Sequence, residues 1–238
     1  MKKCFLFFLI ITVLSCDKKK GLPDLKFLGE IESVNTLGGS KNESAQSIVA
    51  TKDGGYIIAG FTQSNDGDVE GKTNENFDFW ILKFNSNNSI EWQKTIGGSS
   101  VDKANDIIQT SDGGFAVLGY SESNDGDATI NEGSKDFWIV KLNPLGNITW
   151  QKSFGFSGND FGVSLTETTD KGFLIVGELD VTASGGQGNS RSSSRHAGGD
   201  FWAIKLDVNG IKQWSKYYGG SFTDTPRGVV ETVDGNFI

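Results

Sequence analysis

"TSDGGFAVLGYSESNDGD", residues 110–127, has a near copy in "TKDGGYIIAGFTQSNDGD", residues 51–68. The Gly, Asp and apolar positions coincide across all eighteen residues. Internal repetition of this kind marks a fold made by stacking one supersecondary unit. Working outward, "DFW" occurs at Asp78–Trp80, Asp136–Trp138 and Asp200–Trp202, at spacings of 58 and 64. The Trp of "EWQK", "TWQK" and "QWSK" follows at Trp92, Trp150 and Trp214, again 58 and 64 apart. The "DGG" turn begins at Asp53 and Asp112, becomes "DKG" at Asp170 and "DGN" at Asp234. The third unit is longer because of one insertion, "ASGGQGNSRSSSRHAGG", at residues 183–199.

Each unit reads as four strands. In the second, "ANDIIQT" is followed by the "SDGG" turn and "FAVLGYS". A longer loop then leads to "DFWIVKL", the "NPLGN" turn and "ITWQKSF". The strands alternate or run continuously apolar and are rich in β-branched and aromatic residues. The turns carry Gly and Asn, which tolerate positive φ. The expectation is an all-β protein, a β-propeller of four-stranded blades with a repeat of 58–64 residues. Composition agrees, with 32 Gly, 3 Pro and 11% aromatic residues.

The first residues carry a different signal. "MKK" precedes the ten-residue apolar run "FLFFLIITVL", too short to span a bilayer as a helix. "VLSC" follows, ending at Cys16. This resembles the lipobox of bacterial lipoproteins, which implies cleavage after Ser15 and acylation of Cys16. The expected organisation is a signal peptide over 1–15, a lipidated tether over 16–24 and repeats over 25–238. Loss of Lys2 and Lys3 with the leader would leave 20 basic against 30 acidic side chains. An acidic protein repels a phosphate backbone, so nucleic acid is not an expected partner. With Cys4 removed and Cys16 acylated, the repeats hold no thiol for a disulfide, a zinc site or a nucleophile.

"DFWIVKLNPLGNITWQKSFG", followed by "DGGF" and "GYS" motifs, resembles β-propeller repeats of bacterial secreted and surface proteins, common in Bacteroidetes-type lipoproteins. The resemblance covers nearly all of residues 25–238 and implies a cell-envelope location but no single activity. "LKFLGEIESVNTLGGS" matches the end of a unit, and "DGNFI" opens a strand that stops at Ile238. The expectation is therefore a partial blade, three full blades and a truncated one, an incomplete propeller. The alternatives are four-bladed closure or self-association at the exposed edge.

Chain order places the tight turns on one face and the "SNDGD" and "GGSxxD" loops on the other. The second face would collect Asp66, Asp68, Asp78, Asp102, Asp125, Asp127, Asp136 and Asp160. Two readings of "NDGD" stand. Asp66, Asp68, Asp125 and Asp127 could ligate Ca²⁺, which takes about six to eight oxygens, or they could cap backbone amides in Asx-type turns. "GGSSVD" and "GGSFTD" read as linking turns with a capping acid, with Glu43 in the variant "GGSKNE". Trp80 and Trp138 read as packing between blades, with a carbohydrate platform as the alternative.

His196 is the single histidine and lies in a Ser/Gly-rich insertion with no second base or nucleophile accompanying it, so no Ser-His-Asp triad or His-rich metal site is expected. No phosphate-binding or dinucleotide motif occurs. The expected function is a non-catalytic, membrane-anchored binding or scaffold module, presenting acidic loops to a protein or glycan. A glycan-processing enzyme and a structural spacer in a larger surface protein are the alternatives.

Overall fold

The computed structural model describes residues 34–188, 199–220 and 222–238. The signal peptide, Cys16, most of the tether-to-repeat region and His196 lie outside these residues. Leu37–Ile238 forms one compact unit. It contains three four-stranded antiparallel meanders. The first sheet is β1 (Glu43–Ala50), β2 (Tyr56–Thr62), β3 (Asp78–Phe84) and β4 (Ile90–Ile96). The second is β5 (Asp102–Gln109), β6 (Phe115–Ser121), β7 (Asp136–Leu142) and β8 (Ile148–Phe154). The third is β9 (Phe161–Glu167), β10 (Phe173–Asp180), β11 (Gly199–Leu206) and β12 (Lys212–Tyr218). Within each sheet the strands pair in chain order, and the three sheets do not close into a ring.

The continuous apolar strands became the covered ones. All seven positions of β3 and of β7 are buried, as expected where both faces of a strand are packed. The fourth strands, β4, β8 and β12, are exposed or half-buried along most of their length. Between the first and second sheets lies a core that includes Ile57, Phe79, Ile81, Ile107, Phe115 and Trp138. A second core joins Leu118, Phe137 and Ile139 to Leu165, Phe173 and Trp202. Both interfaces repeat one contact, Phe79 on Trp138 at 4.7 Å and Phe137 on Trp202 at 5.1 Å between ring centroids. Trp80, Trp138 and Trp202 are at most 5% exposed, so packing is their role and no carbohydrate platform is built on them.

The first strands lie side by side. Asp106 of β5 accepts from Ser47 Oγ of β1 at 3.0 Å and from Ser164 Oγ of β9 at 2.9 Å. Each first strand also carries a bulge, at Gln46, Asn105 and Val163. The bulge brings a backbone carbonyl of the first strand down onto the second. A Cβ on Gly60, Gly119 or Gly177 would lie about 2 Å from Ser44 O, Lys103 O or Phe161 O. This close approach explains why each second strand holds a glycine in an otherwise apolar run.

The "DGG" turns share a fixed internal lock. In the second sheet, Asp112 Oδ1 accepts from the Gly114 amide at 2.9 Å and from the Thr110 hydroxyl. Lys141 Nζ reaches the same carboxylate at 2.9 Å and also donates to Leu142 O. Lys83 with Asp53 and Lys205 with Asp170 repeat the pair at 2.8 and 3.0 Å. The three lysines are buried, while the carboxylates are more than half exposed. A buried ammonium requires such a partner.

Candidate functional site

The "SNDGD" and "GGS" segments bind one another. Asp68 N donates to Gly38 O at 2.9 Å, and Gly38 N donates back to Asp68 Oδ2 at 3.0 Å. Asp66 Oδ1 accepts from Ser40 N at 2.8 Å, and Ser64 Oγ accepts from Lys41 N at 2.8 Å. In the second sheet, Asp127 N and Gly97 O lie 3.0 Å apart, with the return bond to Asp127 Oδ2 at 3.2 Å. Asp125 Oδ1 accepts from Ser99 N at 2.7 Å. The loop after each second strand thus clamps the segment entering its own first strand. The four residues considered as calcium ligands each give a carboxylate oxygen to a backbone amide. Among the described residues, no group of three or more His, Cys, Asp or Glu side chains is arranged as a metal-ligand cluster.

The remaining loop-face acids lie beneath the loops. Asp78, Asp102, Asp136 and Asp160 are at most 5% exposed, so half of the expected acidic face is interior. Asp102 caps the Gly98 amide at 2.8 Å, and Asp160 caps Phe156 N at 2.7 Å. Gly97 sits between two such acids, since a Cβ there would lie 2.6 Å from Asp78 Oδ1 and 2.8 Å from Asp102 Oδ2. Asp78 has the buried Lys72 ammonium at 3.1 Å. Asp136 accepts from Glu132 N at 2.7 Å, and its Oδ1 has no hydrogen-bond partner. Burial pushes Asp78, Asp136 and Asp160 up to about 6 and raises Asp102 as well. Buried in the sheet junctions, with Asp102, Asp136 and Asp160 tied to backbone amides and Asp78 to Lys72, these carboxylates are structural.

Half-exposed on this face are two aromatic–lysine clusters, the second with Glu122 3.5 Å from its lysine, Lys135. Lys103 Nζ lies 4.5 and 4.0 Å from the ring centroids of Phe61 and Phe77, which pack edge-to-face at 5.4 Å. At the next junction, Lys135 Nζ lies 5.2 and 5.0 Å from Tyr120 and Phe161, themselves edge-to-face at 5.2 Å. Such contacts contribute about 0.5–1 kcal/mol each at exposed sites. The two clusters exchange chemistry between positions. Phe77 and Lys135 precede the buried Asp of their third strands, whereas Lys103 and Phe161 follow the Asp that opens or precedes β5 and β9. Beside the second cluster lies a polar depression of about 370 Å³, lined by Lys135, Phe161, Glu178, Asp180, Thr182 and Gly199 among others.

Sequence reasoning placed the loops on this face but missed these aromatic and lysine residues. Phe61 and Tyr120 align in the repeat as ordinary strand aromatics, while the lysine and the second ring exchange positions between units, so no repeat alignment marks the clusters. No protein-family model and no curated protein sequence matches the chain.

Proposed function

We propose that the protein is a lipid-anchored β-propeller module of the bacterial cell envelope, non-catalytic, that binds a glycan on its loop face. The propeller reading is supported by three consecutive four-stranded meanders whose first strands adjoin one another. Leu174, Val176, Phe201 and Ala203 line a groove of about 850 Å³ on the third sheet. Their counterparts in the second sheet, including Leu118, Phe137 and Ile139, face the adjoining sheet, so the groove has the character of a face on which a further blade packs.

The binding reading rests on one observation. The Phe61–Phe77 and Tyr120–Phe161 pairs, each with a lysine, are half-exposed at successive sheet junctions, and Phe161 and Lys135 of the second line a polar depression. Aromatic rings offer apolar faces to sugar rings, and the depression supplies hydroxyl, amide and carboxylate groups at its edge. The anchor reading rests on "VLSC" and the preceding apolar run. Acyl chains at Cys16 would hold the protein on a membrane.

Two experiments test these readings. An oligosaccharide array of envelope and host glycans, probed with the folded protein, should give hits that Phe161→Ala and Tyr120→Ala weaken together. An array without hits, or hits indifferent to both substitutions, refutes the binding face. Metabolic labelling with a fatty-acid probe should be lost in Cys16→Ala; persistent label refutes the anchor.

A further inference from the structure

The third sheet departs from the cluster pattern in a way that defines a ligand. Strand register fixes the equivalences, because Phe61, Tyr120 and Glu178 all pair with the Phe of "DFW". The residue before that Asp is Phe77, Lys135 or Gly199, and the residue after the capping acid is Lys103, Phe161 or Thr225. The first two junctions therefore each hold one ammonium between two rings. The third holds neither ring nor ammonium at the matching positions. It has a carboxylate, Glu178, whose Oε2 accepts from Thr225 Oγ1 at 2.8 Å, and a glycine, Gly199, that adds no side chain to the depression. A Cβ on Gly199 would lie 2.8 Å from Glu178 Oε1, so this second oxygen lies directly against the glycine backbone. Phe161 supplies a ring at the rim, with the Lys135 ammonium of the second junction 5.0 Å from its centroid and also lining the depression, and Asp180 stands opposite Gly199 across the strand pair.

We propose that this depression takes an ammonium group from an external ligand, in the place filled by Lys103 and Lys135 at the other junctions, and that the ligand is an amino sugar. This rests on the glycan reading above. Glu178 is the counter-charge, Phe161 is the ring against which the sugar face lies, and Thr182 and Asn159 are hydroxyl and amide partners at the rim. The excess of acidic residues over the whole chain favours approach of a cation.

The test is binding of a glucosamine tetramer by calorimetry at mildly acidic pH, where the amine is charged. Its fully N-acetylated counterpart and 1,5-diaminopentane, a mimic of a lysine side chain, are measured beside it. The glucosamine tetramer should bind about tenfold or more tightly than the acetylated one. Glu178→Gln should remove that preference. Thr225→Lys, at an exposed position, should also remove it by placing an internal ammonium beside Glu178, with an unchanged melting curve as evidence of folding. Equal binding of both tetramers, or a preference untouched by both substitutions, overturns the ammonium site and leaves the glycan reading standing. Glu178-dependent binding of diaminopentane with no binding of either tetramer, or no binding of any of the three, overturns the amino sugar, and the glycan reading is then decided by the array alone.

Discussion

Asp127 and Gly97 hold each other twice, amide to carbonyl at 3.0 Å and amide to carboxylate at 3.2 Å. The "NDGD" loop is thereby satisfied by the chain's own backbone. Asp127→Ala should cost about 1 kcal/mol in urea unfolding, the usual value of such a cap, whereas Asp127→Asn keeps an acceptor and should cost less. Millimolar Ca²⁺ should leave the melting temperature of the wild type unchanged. A Ca²⁺-dependent rise that Asp125→Asn and Asp127→Asn abolish would establish the ion site instead.

The lysine–aspartate lock gives a second expectation. Hydrogen bonds from Thr110 and Lys141 to Asp112 outweigh its partial burial and hold its carboxyl down to about 2. Asp112→Ala leaves the buried Lys141 ammonium without its counter-charge. The expected cost is about 2 kcal/mol, below the ~3–5 kcal/mol of a fully buried pair, because the carboxylate is more than half exposed and screened. In the double variant with Lys141→Met, part of that loss should return. A strictly additive double mutant would deny the coupling.

Stability should have a maximum in mildly acidic solution. Asp78, Asp136 and Asp160 are raised to about 6 by burial, so the folded chain binds their protons more tightly than the unfolded chain does. Their contribution is full below the ordinary carboxylate range and is lost as pH rises through about 6. Asp112 and Asp170, lowered to about 2, act oppositely and lose their contribution as pH falls towards that value. The melting temperature should therefore rise by on the order of 5 °C between neutral pH and pH 5. Asp136→Asn should flatten that rise, and a flat profile in the wild type would count against buried, ionised acids.

One position invites a stabilising change. Trp80 Nε1 donates to Gln93 and Trp138 Nε1 to Gln151, both at 2.9 Å. The third unit has Ser215 where the others have Gln, and Trp202 Nε1 is buried without an acceptor. Ser215→Gln should supply one and stabilise the fold by about 1 kcal/mol. Chemical denaturation of the two proteins decides it, and an unchanged midpoint would show that the added amide fails to reach the indole.

Much of the local architecture was legible. "FAVLGYS", "DFWIVKL" and "ITWQKSF" coincide with β6, β7 and β8 residue for residue, with the "DGG" turn just before β6 and the "NPLGN" turn between β7 and β8. "ANDIIQT" was short by two residues at its start, because Asp102 and Lys103 read as loop yet pair with β6. The bulge at Asn105 was not readable, since an extra residue in one strand is defined only against its partner. The clamp between "SNDGD" and "GGS" joins residues 30 apart, such as Gly97 and Asp127. Chain order placed them on one face without saying that they grip each other.

The sequence by itself determined the repeat, the strands, the turns and which loops share a side, because periodicity, turn chemistry and chain order act over short distances. Tertiary structure decided which charges survive at the surface. Asp136 and Asp127 are indistinguishable as letters, but one is interior and the other lies at the rim, because neighbouring sheets close over the first alone. It also decided that Lys83, Lys141 and Lys205 are buried and that Lys103 and Lys135 lie between rings. Those partnerships form between strands or between sheets, and only the packing of one meander on the next brings their atoms within reach.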